Sequence, residues 1–241
     1  MKHTHQPRNR ARIILFVSLG ALIVFLVVAF FAYVSDHHRA DETALSLLNN
    51  NAFIRQEGNL TILEPDEEND TRAGLIFYPG GKVEEAAYLP LLNLLREQGI
   101  TVALVKMPFH LAVFQINAAD SVFNIVPSVS RWFIGGHSLG GAMASSYAAG
   151  NESRLSGLIL LGAYPVNDSP IPTLCLYGSE DIMLDVTKLT GVANLLKIEG
   201  GNHAQFGNYG VQQGDGIATI SREAQQEQAV AAMLAFLVNP A

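Results

Sequence analysis

Only one of the 241 residues is a cysteine, Cys175. An internal disulfide is therefore excluded, and with it a paired-cysteine metal site. The thiol sits in "TLCLY" (173–177), a short apolar run that reads as a strand, so it is expected in the core and not as a nucleophile. Charge is also scarce, at 15% of residues, and cations are the scarcer sign, 15 Lys and Arg against 22 Asp and Glu. Four of the cations (Lys2, Arg8, Arg10, Arg12) lie before residue 13, which leaves 11 to face all 22 acids. So acidic a remainder excludes non-specific binding to nucleic acid or anionic lipid. There is no HExxH, no Gly-Lys-Ser/Thr phosphate loop and no GxGxxG, so neither a metal nor a cofactor is expected. Adjacent His37 and His38, near Asp36 and Asp41, are read as solvated residues of a polar stretch. Internal repeats and low-complexity tracts are lacking as well.

What is present begins with an uncharged run from Ile13 to Val34. At about 1.5 Å per residue, this run is long enough for a bilayer core of roughly 30 Å. A cleaved signal peptide has a shorter apolar core and a small-x-small site, whereas Phe30, Phe31 and Tyr33 crowd this one. Cations precede the run and Asp36, Arg39, Asp41 and Glu42 follow it. The positive-inside rule then puts the amino terminus in the cytoplasm and the rest outside the cell membrane, as a single-pass protein. The expected organisation is a tail over 1–12, an anchor over 13–34, a linker over 35–50 that reads as a stalk or a short leading helix, and a folded domain over 51–241.

Short apolar runs without polar alternation, "AGLIFY" (73–78), "TVALV" (101–105), "WFI" (132–134), "LILLGA" (158–163), "TLCLYG" (173–178) and "ANLLKI" (193–198), suit strands buried on both faces. "NLTILEP" (59–65) is expected to be an edge strand. Helical spacing marks 84–99, 142–150 and 221–237. Strand alternating with helix predicts an α/β fold, a mostly parallel sheet with helices on both faces.

The stretch "WFIGGHSLGGAMASSYAAG" (132–150) places one serine, Ser138, among glycines between a strand and a helix. Gly136, Ser138 and Gly140 form the Gly-x-Ser-x-Gly of a nucleophile elbow, where a tight turn lifts the hydroxyl clear of the sheet. The glycines leave room for the turn, and the helix aims its free N–H groups at charge developing beside the serine. In such folds the acid and then the histidine follow the serine along the chain. Of seven histidines only His203 does so, in "EGGNHAQFG" after the last apolar strand. Asp181, just past "TLCLYG", is the expected acid, with Glu180 the alternative. The oxyanion amides are expected from Leu139 and from Gly80 or Gly81 in "YPGGKV", since Pro79 has no N–H.

From about Thr71 onward the chain resembles the α/β-hydrolase superfamily, in particular its compact lidless group similar to dienelactone hydrolases, through "YPGG", "GHSLGG", "GSED" and "GGNHAQFG". The resemblance implies a Ser138–Asp181–His203 triad with Gly80 and Leu139 at the oxyanion hole. It departs from the family in having Tyr78-Pro79 where His-Gly is usual, and serine where dienelactone hydrolases carry cysteine. Only "AYPVNDSPIP" (163–172) joins two strands where many relatives have a cap. The expected activity is hydrolysis of a small carboxylic ester through an acyl-enzyme. Acyl transfer and peptide cleavage use the same site, and a catalytically inactive surface binding protein is the reading from another class. In the insert over 110–130, His110 and Phe114 are read either as pocket walls or as core packing, and the loop after His203 brings Phe206 and Tyr209 near the active edge.

Overall fold

The computed structural model describes residues 7–239. Lys2, His3, His5 and part of the expected cytoplasmic tail lie outside the described residues. The chain divides into two units, 1–36 and 37–241.

Among the described residues, the first unit is one helix, α1 (Pro7–Ser35). Within it, Arg12–Ser35 has a mean hydropathy of 3.1 and is long and apolar enough to cross a membrane. A signal sequence near an amino terminus has the same properties.

The second unit is a single eight-stranded sheet. Its strands are β1 (Ile54–Glu57), β2 (Leu60–Leu63), β3 (Ala73–Tyr78), β4 (Thr101–Val105), β5 (Arg131–His137), β6 (Gly157–Leu161), β7 (Thr173–Gly178) and β8 (Asn194–Ile198). They run in the order β1-β2-β4-β3-β5-β6-β7-β8. β2 is antiparallel to both β1 and β4, and the pairs from β4 through β8 are parallel. The helices are α2 (Glu42–Asn50), α3 (Leu89–Glu97), α4 (Val122–Ile125), α5 (Leu139–Ala148) and α6 (Arg222–Val238).

Period-two alternation along the strands splits the core in two. Leu75, Phe77, Phe133, Ile159, Leu161 and Leu176 point to one face, under α2, α3 and α6. Ile76, Tyr78, Ile134, Leu158, Leu160 and Cys175 point to the other, under α4 and α5. Both faces are covered, which is why these strands carry apolar runs in place of alternation. Cys175 is fully buried, and burial pushes its thiol up to about 12, so it is a core residue and not a nucleophile.

Two expectations need correction. β2 is not an edge strand, because β1, whose sequence "IRQE" is too polar to stand out, pairs outside it. Residues 37–50 are not a stalk but part of the globular unit, where the short leading helix of the other reading is α2. Asp41 caps α2 by accepting the Ala44 N–H, and Ala44 is fully buried in the core. The same carboxylate accepts from Asn208 Nδ2 at 3.1 Å and from Arg222 at 2.8 Å, tying the start of the unit to its last helix. His37 stacks on His110 with ring centroids 4.1 Å apart, and the His38 backbone pairs with the turn at Lys82–Val83.

Candidate active site

β5 extends past the expected "WFI" to His137, so the strand delivers Ser138 directly at its end. Ser138 has φ 51° and ψ −123°, a left-handed conformation for a non-glycine residue, and α5 starts at the next position. Its backbone is pinned on both sides, with Ser138 N–H donating to the Leu161 carbonyl at 2.9 Å and Ala142 N–H donating to the Ser138 carbonyl at 3.0 Å. The turn has no room for side chains. A Cβ on Gly136 would lie 2.6 Å from the Tyr78 carbonyl oxygen, and one on Gly140 would run into the carbonyls of Tyr78 and Pro79. Ser138 therefore sits at the positive end of α5 in a strained turn, the arrangement that holds a nucleophile proud of a sheet.

Asp181 follows the end of β7, and His203 follows β8. Their side chains meet, His203 Nδ1 lying 2.8 Å from Asp181 Oδ2, and both are buried. The other carboxylate oxygen accepts the N–H groups of Met183 and Leu184 at 3.1 and 3.0 Å. The carboxylate is thus oriented from two sides. Glu180, the alternative acid, is engaged elsewhere, its Oε1 accepting from Ser179 Oγ at 2.9 Å. His203 Nε2 is buried with no hydrogen-bond partner among the described residues. Ser138 and His203 line one pocket of about 270 Å³ together with Leu139, Ala142, Gly162, Ala163, Tyr164, Met183 and Leu184.

The two glycines expected to supply an oxyanion amide differ. Gly80 N–H donates to the Tyr88 hydroxyl at 3.0 Å, so it is already engaged. Gly81 lies against Leu139, where an added Cβ would come 2.8 Å from Leu139 Cδ2.

None of His110, Phe114, Phe206 and Tyr209 lines the pocket at Ser138. His110 stacks on His37, and Phe114 packs edge-on against Phe109 while remaining half exposed. The insert around them is not loose, for Ala112, Ala118, Ala119 and Val122 are buried beneath it. Phe206 is fully buried, 5.7 Å from the His137 ring, and Tyr209 packs on Tyr88. Residues 162–172 pass from β6 to β7 without a helix, so no cap stands there.

One residue that sequence reasoning missed is Asp215. Its carboxylate accepts the backbone N–H groups of His203 at 3.2 Å and Ala204 at 2.8 Å, fixing the turn that carries the histidine. The only sequence signal is a Gly-Asp-Gly twelve residues on, which reads as an ordinary turn. Asp215→Ala is expected to lower kcat by about 10- to 100-fold by letting that turn drift. Asp215→Asn, which keeps an acceptor oxygen, should lose less. Steady-state kinetics on a short-chain p-nitrophenyl ester, with circular dichroism as the folding control, checks both.

The model of the alpha/beta hydrolase family matches residues 74–227, which include all of these groups. The chain belongs to the alpha/beta hydrolase family. Solved hydrolase structures share its fold at low identity. Est1E from Butyrivibrio proteoclasticus is 16% identical with a TM-score of 0.55, covering 77% of this chain and 98% of its own. XC6422 from Xanthomonas campestris, described as a serine hydrolase without a lid, is 13% identical with a TM-score of 0.53, covering 73% and 88%. A bacterial membrane phospholipase A is 16% identical with a TM-score of 0.50, covering 97% and 100%. No match is found among curated protein sequences. The family and the fold of this hydrolase are thereby shown, and its own β6–β7 crossing carries no helix.

Proposed function

We propose that the chain is a membrane-anchored serine hydrolase that cleaves a small carboxylic ester outside the cytoplasm through an acyl-enzyme on Ser138. The observation that carries this reading is the convergence of the strained Ser138 turn and the buried His203–Asp181 pair on one pocket. A volume of about 270 Å³ with a largely apolar lining suits a short, uncharged acyl group.

In this reading His203 Nδ1 keeps its proton on Asp181, which leaves Nε2 as the base. Ser138 Oγ attacks the ester carbonyl as Nε2 takes its proton, and Asp181 stabilises the imidazolium so formed. The hydrogen bond between serine and histidine closes when substrate is bound. Charge gathers on the carbonyl oxygen, where the N–H groups of Leu139 and Gly81 serve as donors at the start of α5. The intermediate collapses as Nε2–H protonates the departing alcohol, and a water repeats the sequence to free the acid and the serine.

The asymmetric charge around α1 supports an outward-facing domain. A membrane-impermeant fluorophosphonate applied to intact cells tests both halves of the reading. A labelled full-length band in the membrane fraction is expected. Labelling only after lysis would overturn the topology, a labelled shortened band in the medium would mean that the helix is removed, and no labelling after lysis would overturn the nucleophile.

A further inference from the structure

His137 directly precedes the nucleophile, yet the mechanism above gives it no task. It is almost fully buried, and burial, reinforced by the nearby His203, pulls its pKa well below the ordinary imidazole value. Its Nδ1 lies 2.8 Å from the hydroxyl of Tyr88, which is itself fully buried in the short turn Glu85–Tyr88 leading into α3. That hydroxyl also accepts the Gly80 N–H. Three groups from three elements therefore meet at one point, and a Cβ on Gly80 would lie 2.7 Å from the Tyr88 oxygen and 2.8 Å from His137 Nδ1.

Proton counting fixes the direction of these bonds. A neutral imidazole carries one N–H, and a tyrosine hydroxyl has one proton to give. If His137 Nδ1–H donated to Tyr88, the phenol proton would have no acceptor and His137 Nε2 would be a buried lone pair without a donor, so two groups would go unpaired. If Tyr88 O–H donates to Nδ1, only Nε2–H remains without a well-formed hydrogen bond, and the His203 backbone beside the ring still favours a proton there. Leaving one polar group unpaired costs less than leaving two, so the second arrangement is favoured.

We propose that Tyr88 and His137 are a positioning pair for catalysis, in which Tyr88 O–H donates to His137 Nδ1, accepts the Gly80 N–H, and so fixes the glycine turn relative to the nucleophile. The inference rests on the serine hydrolase reading. Gly80-Gly81 is permissive backbone, and an oxyanion donor is effective only when its aim is fixed before the charge develops. On its far side the turn is held by Lys82 N–H donating to the His110 carbonyl and by His38 N–H donating to the Lys82 carbonyl, both at 2.8 Å. On its near side it is held by Tyr88. Gly81 lies between these anchor points and against Leu139, the residue after the nucleophile. Because His137 is covalently next to Ser138, the same bond registers the donor against the attacking oxygen. The His137 ring also packs on His203, with centroids 4.4 Å apart, so its neutral state keeps a like charge away from the base.

Tyr88→Phe in the full chain tests this, because Phe fills the same space and removes only the hydroxyl. The expected result is a loss of about 10- to 100-fold in kcat on a short-chain ester, with KM within about twofold and the folded spectrum unchanged. Amide hydrogen exchange at Gly80 should quicken while exchange at the α5 core stays as before. Nitrogen-15 histidine NMR of the unmodified protein should show His137 neutral with its proton on Nε2. A kcat within twofold of the parent, unchanged exchange at Gly80, or a proton on His137 Nδ1 would each overturn the proposal. The NMR measurement needs no variant, so it decides even if Tyr88→Phe does not fold. It also needs no turnover, so it separates failure of this pairing from failure of the hydrolase reading, which absent fluorophosphonate labelling reports.

Discussion

Ser138→Ala is expected to abolish fluorophosphonate labelling and to lower kcat on short-chain esters by at least about a thousandfold. The small residue left should come from the oxyanion amides and the pocket, which still bind and polarise the ester without a covalent step. The fold should persist, since alanine changes none of the backbone bonds to Leu161 and Ala142. Ser138→Gly makes a sharper test. A non-glycine residue at φ 51° stores about 1–3 kcal/mol of strain, which glycine releases, against roughly 0.5–1 kcal/mol of added chain entropy in the unfolded state. Ser138→Gly should therefore be as inactive as Ser138→Ala yet melt at a higher temperature. Labelling that survives in either variant would put the nucleophile elsewhere, and a lower melting point for the glycine variant would count against the strain.

The second large effect lies in the base and its acid. His203→Ala should lower kcat by about four orders of magnitude or more with a modest change in KM, since no other group in the pocket can take the serine proton. Asp181→Asn should come close to it. Asn can still accept from Met183 and Leu184 through one oxygen, but it then presents an NH₂ group to His203 Nδ1. The imidazole must flip its proton to Nε2, where a base needs a lone pair, and a loss of about 10⁴ in kcat is the order expected for such a tautomer error. Glu180→Gln should be nearly silent, as that side chain is occupied by Ser179. The three variants form one comparison by steady-state kinetics. A silent Asp181→Asn beside a crippled Glu180→Gln would reassign the acid.

Much of this architecture can be read from the chain because the central strands are buried on both faces, and their apolar runs carry that burial directly. The elbow is equally legible, since its glycines answer to local crowding. β5 was expected to stop at Ile134 because Gly135, Gly136 and His137 have no strand propensity. They are strand all the same, paired with Ile159, Leu160 and Leu161, and a Cβ on Gly135 would meet the Ile159 carbonyl at 2.5 Å. β1 escaped notice for the opposite reason, being an exposed edge strand of mixed polarity. α2 could be read as a stalk or as a short leading helix because its polar face dominates so short a segment, and the buried Ala44 and the cap on Asp41 show that it packs into the domain. Tyr88 and Asp215 were illegible for a different reason. Each acts on a partner brought close by the fold, and a lone aromatic before a helix or an acid in a glycine turn carries no trace of that partner.

The Asp41 carboxylate joins residues that are 181 positions apart, through its bond to Arg222. This sets a schedule for making the protein. At about 5–20 residues per second, a ribosome that has just added Asp41 needs roughly 10–40 s more to add Arg222. Throughout that interval the face of the sheet destined for α6 has no Phe236 to pack edge-on against Phe133. That face closes only when the last helix of the domain has been made.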